Sequence, residues 1–194
     1  MANSNAPFGL RPVGKLGSNI NNEGTSKYQI VSGEADVVMK GDLVKLEATG
    51  YITKSGNGDA VAAIGVFNGC FYQDPTTQKP TWSNYYPGSI TVTQGTIDAY
   101  VYDDPNTLFE IQANGIIAQD KVGRNADIVY AAGNTINGQS KTEMNSTVSG
   151  AGVAAQLRIV RISEDPDNSD IAATDANWIV RINEHQYYAN TAGV

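Results

Sequence analysis

Few residues in this chain have side chains suited to catalysis or metal binding. His185 is the only histidine and Cys70 the only cysteine. One histidine cannot pair with a second to hold zinc, and one thiolate cannot complete a sulfur site. Serines and aspartates are plentiful enough to suggest a Ser-His-Asp arrangement, but no Gly-x-Ser-x-Gly elbow presents a serine. His185 therefore reads as a hydrogen-bonding residue at the surface or at a strand end. Cys70 lies in the run Val66-Phe67-Asn68-Gly69-Cys70-Phe71-Tyr72 and reads as a packed core residue rather than a nucleophile. Gly56-Asn57-Gly58 begins like a phosphate-binding loop. It lacks the third glycine and any Gly-Lys-Ser/Thr, and a strand-like run follows it, so it reads as a turn. Asp165-Pro166-Asp167-Asn168-Ser169-Asp170 spaces acids at alternate positions, as calcium loops do. Without the loop's glycine and closing glutamate, an acidic turn is the simpler reading and calcium the alternative. Asp103-Asp104 is explained by the turn residues Pro105 and Asn106. The expectation is no catalytic, cofactor-binding or metal residue, and a protein that is not an enzyme.

Two stretches are better suited to binding. Trp82, Tyr85 and Tyr86 sit among Pro75, Pro80 and Pro87 in an irregular excursion over residues 73–88. They could anchor a subunit interface, stack on a sugar, or fold back over their own core. The leader, residues 1–14, holds two prolines and two glycines that oppose helix and regular strand. Its apolar residues Phe8, Leu10 and Val13 nevertheless need burial. Together with Pro7 and Arg11 they read as an ordered arm with spaced anchors.

The elements that must position these residues are short strands. With 194 residues the chain fits one domain, or one domain with an elaboration. It needs neither metal nor disulfide to fold, since a chain of this size buries roughly 70% of its unfolded surface. A lone cysteine excludes an intrachain disulfide and suits a reducing cytosol. The net charge of -7 carries no strong basic cluster and argues against nucleic acid. Residues 1–22 contain Arg11 and Lys15 and no acid, so a positive leader precedes an acidic body. No segment is apolar enough to span a bilayer, and no basic region followed by an apolar stretch suggests a signal peptide.

Alternating runs bounded by turn residues predict strands at Lys27-Tyr28-Gln29-Ile30-Val31, Leu43-Val44-Lys45-Leu46, Tyr51-Ile52-Thr53 and residues 60–67. Asn68-Gly69 then predicts a hairpin with Cys70-Phe71-Tyr72 as its return strand. Residues 96–102 and Leu108-Phe109-Glu110-Ile111, joined by residues 103–106, predict the cleanest hairpin. Residues 156–162 and 177–183 predict the last strong strands, residues 116–120 a helical turn, and residues 138–152 a loop of unassigned role. The expected fold is mostly β, a small β-barrel or sandwich of short antiparallel strands with an irregular extended N-terminal arm. The arm spans residues 1–26 and the β-rich body 27–194. The body is divisible into a barrel core over 27–112 and a C-terminal β elaboration over 113–194.

The leader Met1-Ala2-Asn3-Ser4-Asn5-Ala6-Pro7-Phe8-Gly9-Leu10-Arg11-Pro12-Val13 resembles the N-terminus of a family of virion structural proteins of tailed bacteriophages. Gly123-Arg124-Asn125-Ala126-Asp127-Ile128-Val129 and Trp178-Ile179-Val180-Arg181-Ile182-Asn183-Glu184-His185-Gln186 extend the likeness nearly end to end. Gly41-Asp42-Leu43-Val44-Lys45-Leu46 through Ile64-Gly65-Val66 resembles the small β-barrel of phage head-decoration proteins. This chain is longer than that family's pattern, with the aromatic excursion and a large C-terminal half. The resemblance implies a capsid decoration, or cement, protein on the capsid exterior of the virion, synthesised in the host cytoplasm. It implies a homotrimer whose arm (Pro7, Phe8, Leu10, Arg11, Val13) lies on the major capsid protein, with Trp82, Tyr85 and Tyr86 as further interface residues. No nucleic acid, membrane or cofactor is expected. The alternatives are a carbohydrate-binding or host-adhesion module and a tail or connector component.

Overall fold

The computed structural model describes residues 3–17, 24–150 and 154–188. These residues form two main antiparallel sheets packed as in a sandwich. One has five strands in the order β1 (Arg11–Lys15), β8 (Thr107–Gln112), β13 (Asn177–Ile182), β12 (Leu157–Ile162) and β9 (Asn125–Ala126). The other runs β2 (Ser26–Ile30), β7 (Ile97–Tyr102), β5 (Ala63–Gln73), β3 (Leu43–Leu46), β4 (Ile52–Lys54), with β6 (Pro80–Ser83) also paired to β5. A small ribbon of β10 (Ile128–Val129) and β11 (Glu143–Met144) and one turn of 3-10 helix at Gln119–Lys121 complete it.

Side-chain alternation decides which residues meet. On β7, Ile97, Ala99 and Val101 point inward while Asp98, Tyr100 and Tyr102 point outward. The inward residues join Ile30, Val44, Ile52, Ile64, Phe67, Cys70 and Tyr86 in one core. The end strands β2 and β4 approach each other, so this sheet curls round its core without closing into a barrel. β3 over residues 43–44 and β5 over residues 63–67 are buried on both faces. Their other face, Leu43, Ala63 and Val66, packs on Phe109, Ile111, Leu157, Trp178 and Val180 of the five-stranded sheet. Residues from both sides of position 112 therefore share this second core.

Three local expectations are corrected. Asn68-Gly69 makes no hairpin. β5 runs straight through it, with the pairing to β7 shifting between Phe67 and Gly69, because tertiary pairing on both edges outweighs the local turn preference. Residues 97–102 and 107–112 are strands joined by the expected turn, in which Asp104 Oδ1 accepts the Asn106 N–H at 2.8 Å. They do not pair, however. β7 has both edges filled by β2 and β5, and β8 by β1 and β13, so the turn carries the chain from one sheet to the other. The leader is not irregular throughout. Arg11–Lys15 is an edge strand on β8 with a bulge between Pro12 and Gly14, at a sheet edge where proline is tolerated.

Leu10 is 2% exposed and belongs to the second core. Leu10→Ala should lower the unfolding free energy by about 3 kcal/mol in urea titrations. Val13→Ala, at an exposed position of the same strand, should change it by no more than about 0.5 kcal/mol.

Candidate functional site

Three chain segments meet at a buried carboxylate. Gly41, at φ +95°, turns the chain so that Asp42 enters the interior at 1% exposure. Its carboxylate accepts hydrogen bonds from Ser140 Oγ (2.6 Å), Thr142 Oγ1 (3.2 Å) and the Met39 N–H (2.9 Å). Burial pushes its pKa up, and these donors oppose the shift. The surrounding backbone is knitted in the same way. Leu10 N–H donates to the Gly41 carbonyl at 2.9 Å, Ser140 N–H to that of Lys40 at 3.0 Å, and Lys40 N–H to that of Gly138 at 2.9 Å. Gln139 Nε2 donates to the carbonyls of Phe8 and Lys40. Gly9, at φ +74°, passes so close that a Cβ would stand 2.6 Å from that of Ser140. Residues 138–142, within the stretch of unassigned role, are thus the clasp that locks the arm to the Gly41-Asp42 turn.

Further out, two buried amides grip the backbone of the arm. Gln112 accepts the Ala6 N–H at 2.9 Å and donates to the Ser4 carbonyl at 2.9 Å. Asn168 accepts the Ser4 N–H at 3.1 Å and donates to the same carbonyl at 2.9 Å. Pro7 and Phe8 are half-buried. The Arg11 guanidinium lies 4.5 Å from the centre of the Phe8 ring and pairs with the buried Glu110. Val13 is exposed. A cavity of about 270 Å³ is lined by Phe8, Arg11, Lys40, Tyr102 and Gln139, and a groove of about 530 Å³ by Arg11, Val13, Lys15, Arg161 and Glu164. Of the five arm anchors, Leu10 is corrected. Its side chain is 2% exposed and packs in the chain's own second core.

The aromatic trio is separated. Tyr86 is fully buried, with its hydroxyl donating to the Glu34 carbonyl at 2.9 Å and accepting the Ile90 N–H at 3.2 Å, so it is a core residue and not an interface anchor. Tyr85 is half-buried beside Gly138. Trp82 alone is open, at 50% exposure on β6. Its neighbours Phe71 and Tyr100 were not legible as partners, because the β5–β6 register that brings Phe71 opposite Trp82 is a tertiary fact.

The acidic and glycine-rich turns, Cys70 and His185 are each held by contacts within the chain. Asp165 accepts from the Asp167 N–H and Asn177 Nδ2, and Asp170 from the Ala172 N–H. Asp103 accepts from Ser26 and Tyr28, while Asp104 pairs with Lys15. Asn57 accepts the Tyr130 N–H and Gly58 N–H donates to Gln156, so Gly56-Asn57-Gly58 is a tethered turn. Among the described residues no three His, Cys, Asp or Glu side chains converge as metal ligands. Cys70 is buried, its thiol facing the Tyr85 carbonyl, and burial pushes its pKa up to about 12. His185 is fully buried rather than at the surface. Its Nδ1 accepts the Tyr187 N–H at 3.1 Å, and its Nε2 lies towards the Asp103 backbone without a formed hydrogen bond. Burial lowers its pKa from 6.5 to about 4, opposed by Asp103 and Asp104.

Two measurements follow from this burial. In the folded protein Cys70 should resist iodoacetamide at pH 8 and react once urea unfolds the chain. His185 takes up its proton near pH 6.5 when unfolded and near 4 when folded, so the unfolded state binds more protons between those values. Its stabilising contribution is complete above about pH 6.5 and is lost as pH falls towards 4, by up to about 3 kcal/mol. His185→Gln should flatten that part of the pH–stability curve in urea titrations.

No family model, curated protein or solved structure matches this chain.

Proposed function

We propose that this chain is a non-enzymatic decoration protein that binds the outer surface of a tailed-phage head and stabilises it through protein–protein contacts. The observation that carries this reading is the clamped arm. Its backbone is fixed to the body by Gln112, Asn168 and Gln139, while Phe8, Arg11 and Val13 remain at the surface beside a cavity and a groove. A pre-ordered arm loses little conformational entropy on docking. The resemblance of the leader and the closing segment to virion structural proteins supports the same reading. Because Pro12 and the adjacent bulge interrupt the free edge of β1, docking onto the major capsid protein uses side chains rather than an added strand. The mechanism is mass action: a ligand that binds only the assembled shell stabilises it by its binding free energy, with no reaction. Self-association, as a trimer, belongs to the same proposal.

Gold-labelled antibody to the chain should decorate the shell of the virion that carries it. Label confined to the tail, or absent, overturns the reading. Phe8→Ser combined with Val13→Asp should weaken binding to stripped heads by roughly tenfold or more, the equivalent of about 1.4 kcal/mol. Undiminished occupancy would remove the arm from the docking surface.

A further inference from the structure

The outward face of the curled sheet carries a second surface, whose groove is lined by none of the arm's residues. Trp82 on β6 stands opposite Phe71 on β5, and Phe71 stands opposite Asp98 on β7. Residues directly opposite in antiparallel strands share a face, so these three side chains rise together. Tyr100 follows Asp98 by two residues and joins them, its ring centre 5.2 Å from that of Trp82. Between them is Gly69, where a Cβ would stand 2.6 Å from the indole Cζ2. The absence of a side chain there lets the indole lie down across the strand. Trp82 and Phe71 are 50% and 39% exposed.

Beside this platform runs a groove of about 450 Å³ lined by Phe71, Gln73, Pro80, Gln94, Thr96 and Asp98, among others. Its lining contains no leucine, isoleucine, valine or methionine. Its one charged residue, Asp98, is neutralised by Lys27 at 3.0 Å and also accepts the Thr96 hydroxyl at 2.8 Å. Gln73 donates its Nε2 to the Gln78 carbonyl at 3.1 Å, which leaves its Oε1 as an acceptor. The turn forming one wall is held by Gln78, whose Nε2 donates to the Pro75 carbonyl at 2.7 Å and whose N–H donates to that of Asp74 at 2.8 Å.

We infer that this face binds a neutral hexose oligosaccharide, stacked on Trp82 and Phe71 with its hydroxyls in the groove. A sugar ring presents C–H faces that suit aromatic rings and an edge of hydroxyls that suits amides, a carboxylate and an ammonium. Exposed rings also suit a protein interface, and the protein-concentration control below separates that occupant from a sugar. An anionic partner would require a net positive face, and the charges here cancel.

The two tryptophans make the test direct. Trp178 is fully buried, so only Trp82 should report a ligand by fluorescence. The purified chain is titrated with maltohexaose, cellohexaose, laminarihexaose and chitohexaose. At least one should shift the emission, with a Kd of ~1 mM or tighter that barely changes with salt, as expected for an uncharged ligand. Trp82→Ala and Phe71→Ala, followed by calorimetry, should each weaken binding by roughly tenfold or more. Tyr187→Ala, an exposed aromatic outside this groove, should not. Amide shifts in NMR spectra of the unmodified chain, confined to β5, β6 and β7, serve where a variant fails to fold. Lack of binding by all four sugars, full affinity in Trp82→Ala, or shifts elsewhere overturns the inference. An emission shift produced by raising protein concentration without sugar also overturns it, by making the face a contact between copies.

Discussion

A carboxylate buried from solvent needs donors, and Asp42 draws two of its three from one distant segment of the chain. Leaving an ionised group unpaired in the interior costs several kcal/mol, so the fold must bring hydroxyls to it. Ser140 and Thr142 supply them from about a hundred residues away in sequence. That requirement seats the 138–142 segment against the Gly41-Asp42 turn. The same seating leaves only enough room for a glycine at position 9, which delivers Leu10 into the core and sets the path of β1. Arm, turn and clasp are one interaction.

The second constraint is the wall formed by β3 and β5. Over residues 43–44 and 63–67 both faces are buried, one towards the curled sheet's core and one towards the five-stranded sheet. A one-residue slip would exchange the two sets of side chains, putting Ile64 and Phe67 where Ala63 and Val66 belong. The bulges at Val44/Lys45 and Phe67/Gly69 each interrupt the alternation, so that Ile64, Phe67 and Cys70, spaced by three, share one face. The bulge before Gly69 also keeps a bare patch of backbone on the outer face, over which Trp82 settles.

This division of labour bears on function. Among the described residues the titratable side chains that enter the interior are those of Asp42, Cys70, Tyr72, Tyr86, Glu110 and His185. The aromatic face is made of rings, amides and one compensated pair of charges. Groups of that kind hold partners by contact area and hydrogen bonding, without developing charge in a transition state. The proposed roles are accordingly binding roles, with the cavity beside the arm and the groove beside the aromatic face lined by different residues.

The sequence by itself determined that the chain is β-rich, where most long strands lie, and that Cys70 is a packed residue. Those properties follow from alternation, turn residues and composition, which act over a few neighbours. It also singled out Trp82 and the arm. It could not say that residues 97–102 and 107–112 belong to different sheets, since both strands keep the same local pattern whichever partner they take. It read Asn68-Gly69 as a turn because the pairing that overrides that preference comes from β3, β6 and β7. It grouped Tyr86 with Trp82, although Tyr86 enters the core of the curled sheet and Trp82 lies on the sheet's outer face. The role of residues 138–142 and the burial of His185 were decided only by tertiary structure, because the groups that need them lie far away in the chain and meet only when both cores close.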